Sequence, residues 1–246
     1  MLLSTPGLVL HTTPYSESSV VAKVFTRQLG LRSYIIKGVR GRGGRVKQNL
    51  LQPLSCLDMV VYDNPKTDLN YIKEISPRHP LSTVNSQLPT QNALRFFMTE
   101  VLYKALREAE PMPALFDYVE ETSFFCSPKL GELSYEGGLR SVSHLPVLFL
   151  LTVSHHLGIE PLDNYSLREP LFDLQEGRFL SAPTETTLSP ELSTLLHEYH
   201  YSSLPTHPSS LEDRIALINA LLSYYHLHLS GFAHFHSHEI LHTILK

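Results

Sequence analysis

The sequence predicts an α+β protein, with a small five-stranded β-barrel at the amino terminus followed by an α-helical carboxyl-terminal domain. Three observations carry this. Apolar residues recur at period two up to about residue 76 and at three-to-four spacing after about residue 90. Between the two stretches, Ser76-Pro77-Arg78-His79-Pro80 fits neither period and marks the boundary. At 246 residues, 42 % hydrophobic and 18 % charged, the chain is long enough to bury a core, and its composition excludes fibrous and disordered classes.

Five strands are expected in the first 76 residues. The first is placed at 7–11, and the second, at 19–25, sets Val20, Ala22 and Val24 on one face. The third, at 31–39, sets Leu31, Ser33 and Ile35 against Arg32, Tyr34 and Ile36. The fourth, at 52–62, sets Leu57, Met59 and Val61 against Asp58, Val60 and Tyr62, and a fifth at 69–75 completes the set. So small a sheet exposes its edges unless it closes, which makes a five-stranded barrel of the oligonucleotide-binding (OB) type the economical arrangement. An SH3-like barrel shares the strand count. The barrel domain is accordingly placed at 1–80.

The remainder, 81–246, is read as a helical, partner-binding domain. Thr90 caps a first helix in which Leu94, Phe97, Met98, Val101, Leu102 and Ala105 form one stripe. Further helices are expected at 113–125, at 143–157 with Gly158 as the stop, and from Pro190, in the first helical position, to about residue 200. A long helix starts at Ser210, where Ser210 and Asp213 resemble a capping box, and a short one starts at Ser237. Between the third and fourth helices, 159–188 is a Pro-rich insertion, expected to be an ordered loop with at most a short hairpin around Gly177.

Charge is segregated along the chain. Residues 1–80 hold 11 Lys/Arg against 5 Asp/Glu, a net +6, whereas 81–246 hold 9 against 19, a net −10. The positive charge peaks at Lys37, Arg40, Arg42, Arg45 and Lys47, five cations interleaved with four glycines, which describes a cationic loop able to follow a phosphate backbone without reading bases. Arg27 and Arg32 bracket the turn at Gly30 and join this set. Tyr34 offers a ring for base stacking, although a cross-strand tyrosine has the same pattern. Gly38 and Gly43 have Walker spacing, but Gly44 stands where a lysine is needed, so nucleotide binding is not expected.

No catalytic constellation is assigned. His238-Glu239-Ile240-Leu241-His242 matches the zincin pattern, yet it has no motivated third ligand, and it is read as part of a short amphipathic helix. Only Cys56 and Cys126 occur, too few for a disulfide framework or a four-cysteine zinc site. No cofactor or metal is therefore expected. The longest apolar run, 145–153, is broken by Pro146 and Thr152 and is far short of a membrane span, and the amino terminus does not read as a secretory signal. A cytoplasmic location is the expectation.

At the amino terminus the order and spacing of several short elements resemble a known family. Gly7-Leu8-Val9-Leu10-His11, Tyr15-Ser16-Glu17, Val24-Phe25-Thr26, Gly30, Lys37-Gly38-Val39-Arg40 and Leu51-Gln52-Pro53 look like the signature of the bacterial recombination and repair mediator family RecO. Leu157-Gly158-Ile159-Glu160-Pro161 and the stretch from Gly231 to Ser237 are also similar, so the resemblance covers nearly the whole chain. It implies an OB barrel, a helical second domain, a nonenzymatic role in DNA repair and recombination, and a place at the nucleoid. It further implies binding to single- and double-stranded DNA, strand annealing, and partnership with RecR and with the tail of single-stranded DNA-binding protein to help load RecA. Many members carry a four-cysteine zinc module after the Leu-Gly-x-x-Pro element, whereas 164–179 here contains no cysteine. Arg95, Lys104 and Arg107 are the candidate docking residues for the acidic protein tail, since spacings of nine and three let much of the set approach one side of the first helix. A general RNA-binding barrel and an HExxH metalloprotease are the competing readings.

Overall fold

The computed structural model describes residues 2–39, 48–64, 66–79, 89–107, 110–125, 138–202, 209–232 and 235–237. Strands β1 (Leu2–Pro14), β2 (Val20–Thr26), β3 (Gly30–Ile36), β4 (Cys56–Tyr62) and β5 (Leu69–Pro77) close into a barrel in the order β1-β2-β3-β5-β4. Every pairing is antiparallel except β3 with β5. A shared β1 and a parallel β3–β5 closure give the OB arrangement, which resolves what the strand count alone left open.

β1 is longer than its apolar pattern. Its first half pairs with β4 from Leu2 to Leu8, its second half pairs with β2 from Gly7 to Pro14, and a register shift between Val9 and His11 helps it change partner. At the crossover Gly7 has no room for a side chain, because a Cβ there would collide with Met59 Cε and Val24 Cγ1. β4 starts at Cys56 rather than at residue 52. The preceding turn places Leu54 at φ 55°, and its N–H donates to Val9 O at 2.8 Å, so these residues dock on β1 instead of extending β4. The barrel core comprises Val9, Val20, Ala22, Val24, Tyr34, Ile36, Leu57, Met59 and Val61, with Val39, Leu50 and Leu51 closing over it.

The chain forms two compact units, Met1–Leu133 and Ser134–Lys246. The first therefore extends past the change of period at 76–80 and includes α1 (Pro89–Ala105) and α2 (Pro113–Phe125). The stripe expected on α1 is buried throughout. α2 buries Leu115, Phe116 and Val119, and the Phe116 ring centroid lies 5.7 Å from that of Phe25 at the end of β2.

The second unit contains α3 (Gly138–His156), β6 (Leu171–Asp173), β7 (Arg178–Leu180), α4 (Pro190–Ser202) and α5 (Leu211–His228). α3 begins five residues before the expected start, so Pro146 lies inside it. It ends at Gly158, φ 71°, where the Ile159 N–H donates to Ser154 O and the Gly158 N–H to His155 O. The Ser210–Asp213 capping box of α5 is formed in both directions. The 159–188 insertion is ordered around the β6–β7 hairpin, with Gly177 at φ 68°. Asp173 anchors it, accepting hydrogen bonds from the hydroxyls of Thr184, Thr186 and Thr187 and from the N–H groups of Gln175 and Glu176. Among the described residues no helix is long and apolar enough to cross a membrane.

Candidate nucleic-acid interface

Strands β3, β5 and β4 carry a groove of about 520 Å³ lined by Ile35, Ile36, Lys37, Tyr62, Tyr71, Ile72, Lys73 and Ile75. Its construction follows from register. Tyr71 pairs with Tyr62 on one side and with Ile35 on the other, so two tyrosines stand side by side across β4 and β5. Both rings are about half exposed, Tyr62 at 50 % and Tyr71 at 47 %. A bulge then shifts β5, since Val61 pairs with Ile72 while Val60 pairs with Glu74, leaving Lys73 as the extra residue. Ile72 and Ile75 consequently pack on the core, while Tyr71 and Lys73 face solvent. Lys37, just past β3, places Nζ 5.4 Å from the Tyr71 ring centroid, a cation over an aromatic face. Lys73 Nζ lies 3.2 Å from Glu74. Adjacent rings bordered by ammonium groups provide stacking faces for bases and charges for the phosphates that join them.

The structure redistributes the residues singled out from the sequence. Lys37 lies in the groove. Tyr34 does not, because its ring is fully buried in the barrel core and has no face to offer a base. Burial, and then the nearby Asp63 charge, push the Tyr34 hydroxyl pKa well above its ordinary value. Arg32 shares its inward parity and is half-buried, with Nε 3.7 Å from Asp63 Oδ1. Arg27 sits in the β2–β3 turn, at the opposite end of β3 from Lys37. Its Nε and Nη2 donate to the two carboxylate oxygens of Asp117 on α2 at 2.7 and 2.8 Å. The hydrogen bond from Arg27 holds the Asp117 carboxyl below its ordinary range. Arg27 thus clamps helix to barrel. Arg40, Arg42, Arg45 and Lys47 lie outside the described residues, as do His238, Glu239 and His242.

The second candidate set also separates. Nine residues at about 100° each turn Arg95 and Lys104 to opposite sides of α1. Arg95 Nη2 donates to Ser123 O at 3.3 Å, and Lys104 pairs with Glu100 at 3.5 Å. Arg107 lies beyond the end of the helix and is exposed.

Sequence reasoning missed Tyr71 and Lys73 and underused Tyr62. The available signal was an aromatic on the polar face of β4, opposite Leu57, Met59 and Val61. A second grouping was also missed, because its members are far apart in sequence. Cys56, Arg78, His79 and Glu120 meet where β4 begins and β5 ends against α2. Arg78 donates through Nε to Glu120 Oε1 at 2.6 Å and through Nη1 to Asp58 Oδ1 at 2.9 Å. Cys56, His79 and Glu120 are side chains of metal-ligating type, although no metal is expected from the sequence.

The barrel and its flanking chain have known relatives. The family model described as "Recombination protein O N terminal" matches residues 1–81. Over 98 % of this chain and 98 % of its own length, a protein of Phocaeicola vulgatus named DNA repair protein RecO is 30 % identical. The chain belongs to the RecO family. A DNA repair protein RecO of Porphyromonas gingivalis is also 30 % identical, over 99 % of both chains, and one of Flavobacterium johnsoniae is 27 % identical over 100 % of both. The tyrosine groove and the Arg27–Asp117 clamp therefore belong to a RecO barrel, and the similarity extends through the second unit.

Proposed function

We propose that the protein is a nonenzymatic DNA repair and recombination mediator that binds single-stranded DNA along the Lys37–Tyr62–Tyr71 groove. In this reading Arg40, Arg42, Arg45 and Lys47 add phosphate contacts to those made along the groove. Duplex DNA is held through its phosphates alone, and two bound strands are brought together for annealing. RecR and the tail of single-stranded DNA-binding protein act as partners in loading RecA, and the protein works at the nucleoid. Membership of the RecO family supports the repair role. The observation that carries the site is the pair of half-exposed tyrosines in register, with a lysine over one ring.

Titration of a fluorescent single strand across a range of salt concentrations tests this. Tyr71→Ala and Tyr62→Ala should each lose about 1–3 kcal/mol of single-strand affinity, and annealing should fall with them. Lys37→Ala should reduce the slope of log affinity against log salt by about 0.7. Replacing Arg40, Arg42 and Arg45 by Ala should weaken all sequences alike. Unchanged affinity in a folded Tyr62→Ala/Tyr71→Ala double variant would move the interface elsewhere.

A further inference from the structure

Three elements of the first unit bring Cys56, His79 and Glu120 together. Cys56 opens β4, His79 follows the exit of β5, and Glu120 lies on α2. The Cys56 thiol donates to Glu120 Oε1 at 3.3 Å, His79 Nε2 lies 3.1 Å from the same oxygen, and the three ligand atoms all fall within 4.8 Å of one another. Zn–S bonds of about 2.3 Å and Zn–N or Zn–O bonds of about 2.0 Å place neighbouring tetrahedral ligands roughly 3.3–3.5 Å apart. The side chains need only small shifts to adopt that geometry. We propose that Cys56, His79 and Glu120 bind a divalent zinc-class ion that ties α2 to the barrel.

The donor set selects the metal class. Thiolate with imidazole and carboxylate suits zinc and its borderline-soft neighbours, not magnesium or calcium, which take oxygen ligands. Binding forms a Zn–S bond and releases one proton, the Cys56 thiol proton, to solvent. His79 ligates as neutral imidazole through Nε2, and Glu120 ligates as carboxylate. Two anionic ligands then balance the dication. Arg78 stays on the Glu120 carboxylate, and its charge is offset by Asp58, so it orients the ligand without leaving an uncompensated cation beside the metal. Three protein ligands leave a fourth position for water. Cys56 and Tyr62 occupy opposite ends of β4, so this site and the DNA groove can be tested separately.

Cobalt(II) titration of the metal-stripped full-length protein, followed by its absorption spectrum, tests the proposal. The histidine-rich carboxyl-terminal end can take up cobalt, but only a cysteine ligand produces a thiolate-to-cobalt charge-transfer band, and the chain has only Cys56 and Cys126. One equivalent of cobalt should give the band in wild type and in Cys126→Ser, but not in Cys56→Ser. Zinc should displace it and raise Tm. Glu120→Gln should weaken binding at least tenfold. His79→Gln, at a partly exposed position, should do the same and keeps the test open if the loss of Glu120 unfolds the unit. Absence of the band, its survival in Cys56→Ser, or unchanged affinity in His79→Gln would overturn the proposal.

Discussion

Tyr34 and Tyr71 stand on hydrogen-bonded strands one register step apart, since Tyr34 pairs with Asn70 and Ile35 with Tyr71. One ring fills the core and the other lines a surface groove. Strand parity is binary, and on β3 both faces read as mixed, with Ile35 on one and Ile36 on the other, so the sequence supplied the strand without its orientation. The Tyr34 hydroxyl is buried with no hydrogen-bond partner among the described residues. Removing it forfeits no bond and relieves a desolvated dipole. Tyr34→Phe should therefore match or exceed wild type in Tm and keep single-strand affinity within about twofold, in contrast to Tyr71→Ala. A large loss of affinity in thermally unimpaired Tyr34→Phe would return this residue to the interface. Arg27 and Lys37 carry a related lesson. They stand only ten positions apart in the sequence, but the seven residues of β3 separate them by roughly 23 Å.

At the scale of elements, features fixed by local chemistry were legible. The Ser210–Asp213 box, the stop at Gly158 and the hairpin at Gly177 are satisfied by neighbours only a few residues away. The start of α3 was not legible, because Pro146 reads as a first-turn residue when only the local pattern is considered. The length of β1 also escaped, since its ends are held by strands far along the chain. The hairpin has a consequence for acid stability. Burial by itself would raise the Asp173 pKa, but the hydrogen bonds from Thr184, Glu176, Thr186 and Thr187 outweigh it and leave the carboxyl below its ordinary range. A depressed folded-state value contributes stability above the unfolded pKa of about 3.9, and that contribution is lost as pH falls through the folded value. Asp173→Asn should cost about 2–3 kcal/mol near neutral pH. The gap between variant and wild type, followed by urea denaturation, should narrow below about pH 4. A gap that stayed constant into acid would show that the charge is not what the threonines stabilise.

For the whole molecule, periodicity and compactness divide the chain at different places. The change from period two to three-to-four spacing reports local geometry, whereas the first unit is held by long-range pairs, Phe25 with Phe116, Arg27 with Asp117 and Arg78 with Glu120. No short-range signal announces such pairs. Moving the boundary to 133 also softens the charge segregation. Residues 1–133 carry 15 Lys/Arg and 12 Asp/Glu, a net +3, and residues 134–246 carry 5 and 12, a net −7. Asp117, Glu120 and Glu121 of α2 offset part of the +6 carried by residues 1–80.

The double pairing of β1 also sets an order of events in time. β1, β2 and β3 are neighbours along the chain and pair across short turns, so their contacts require little loop closure. β4 can meet β1 only by bringing Tyr62 to Leu2 and Cys56 to Leu8, and β5 must return to lie parallel to β3. Contacts between such distant segments are slow to form. The β1–β2–β3 meander should assemble first and the ring should seal last, so the tyrosine groove, built from β3, β4 and β5, would be absent until the final step. In pulse-labelled refolding, amides of β2 should gain protection before those of β4 and β5. Simultaneous protection of all five strands would mean that the barrel forms in a single concerted event.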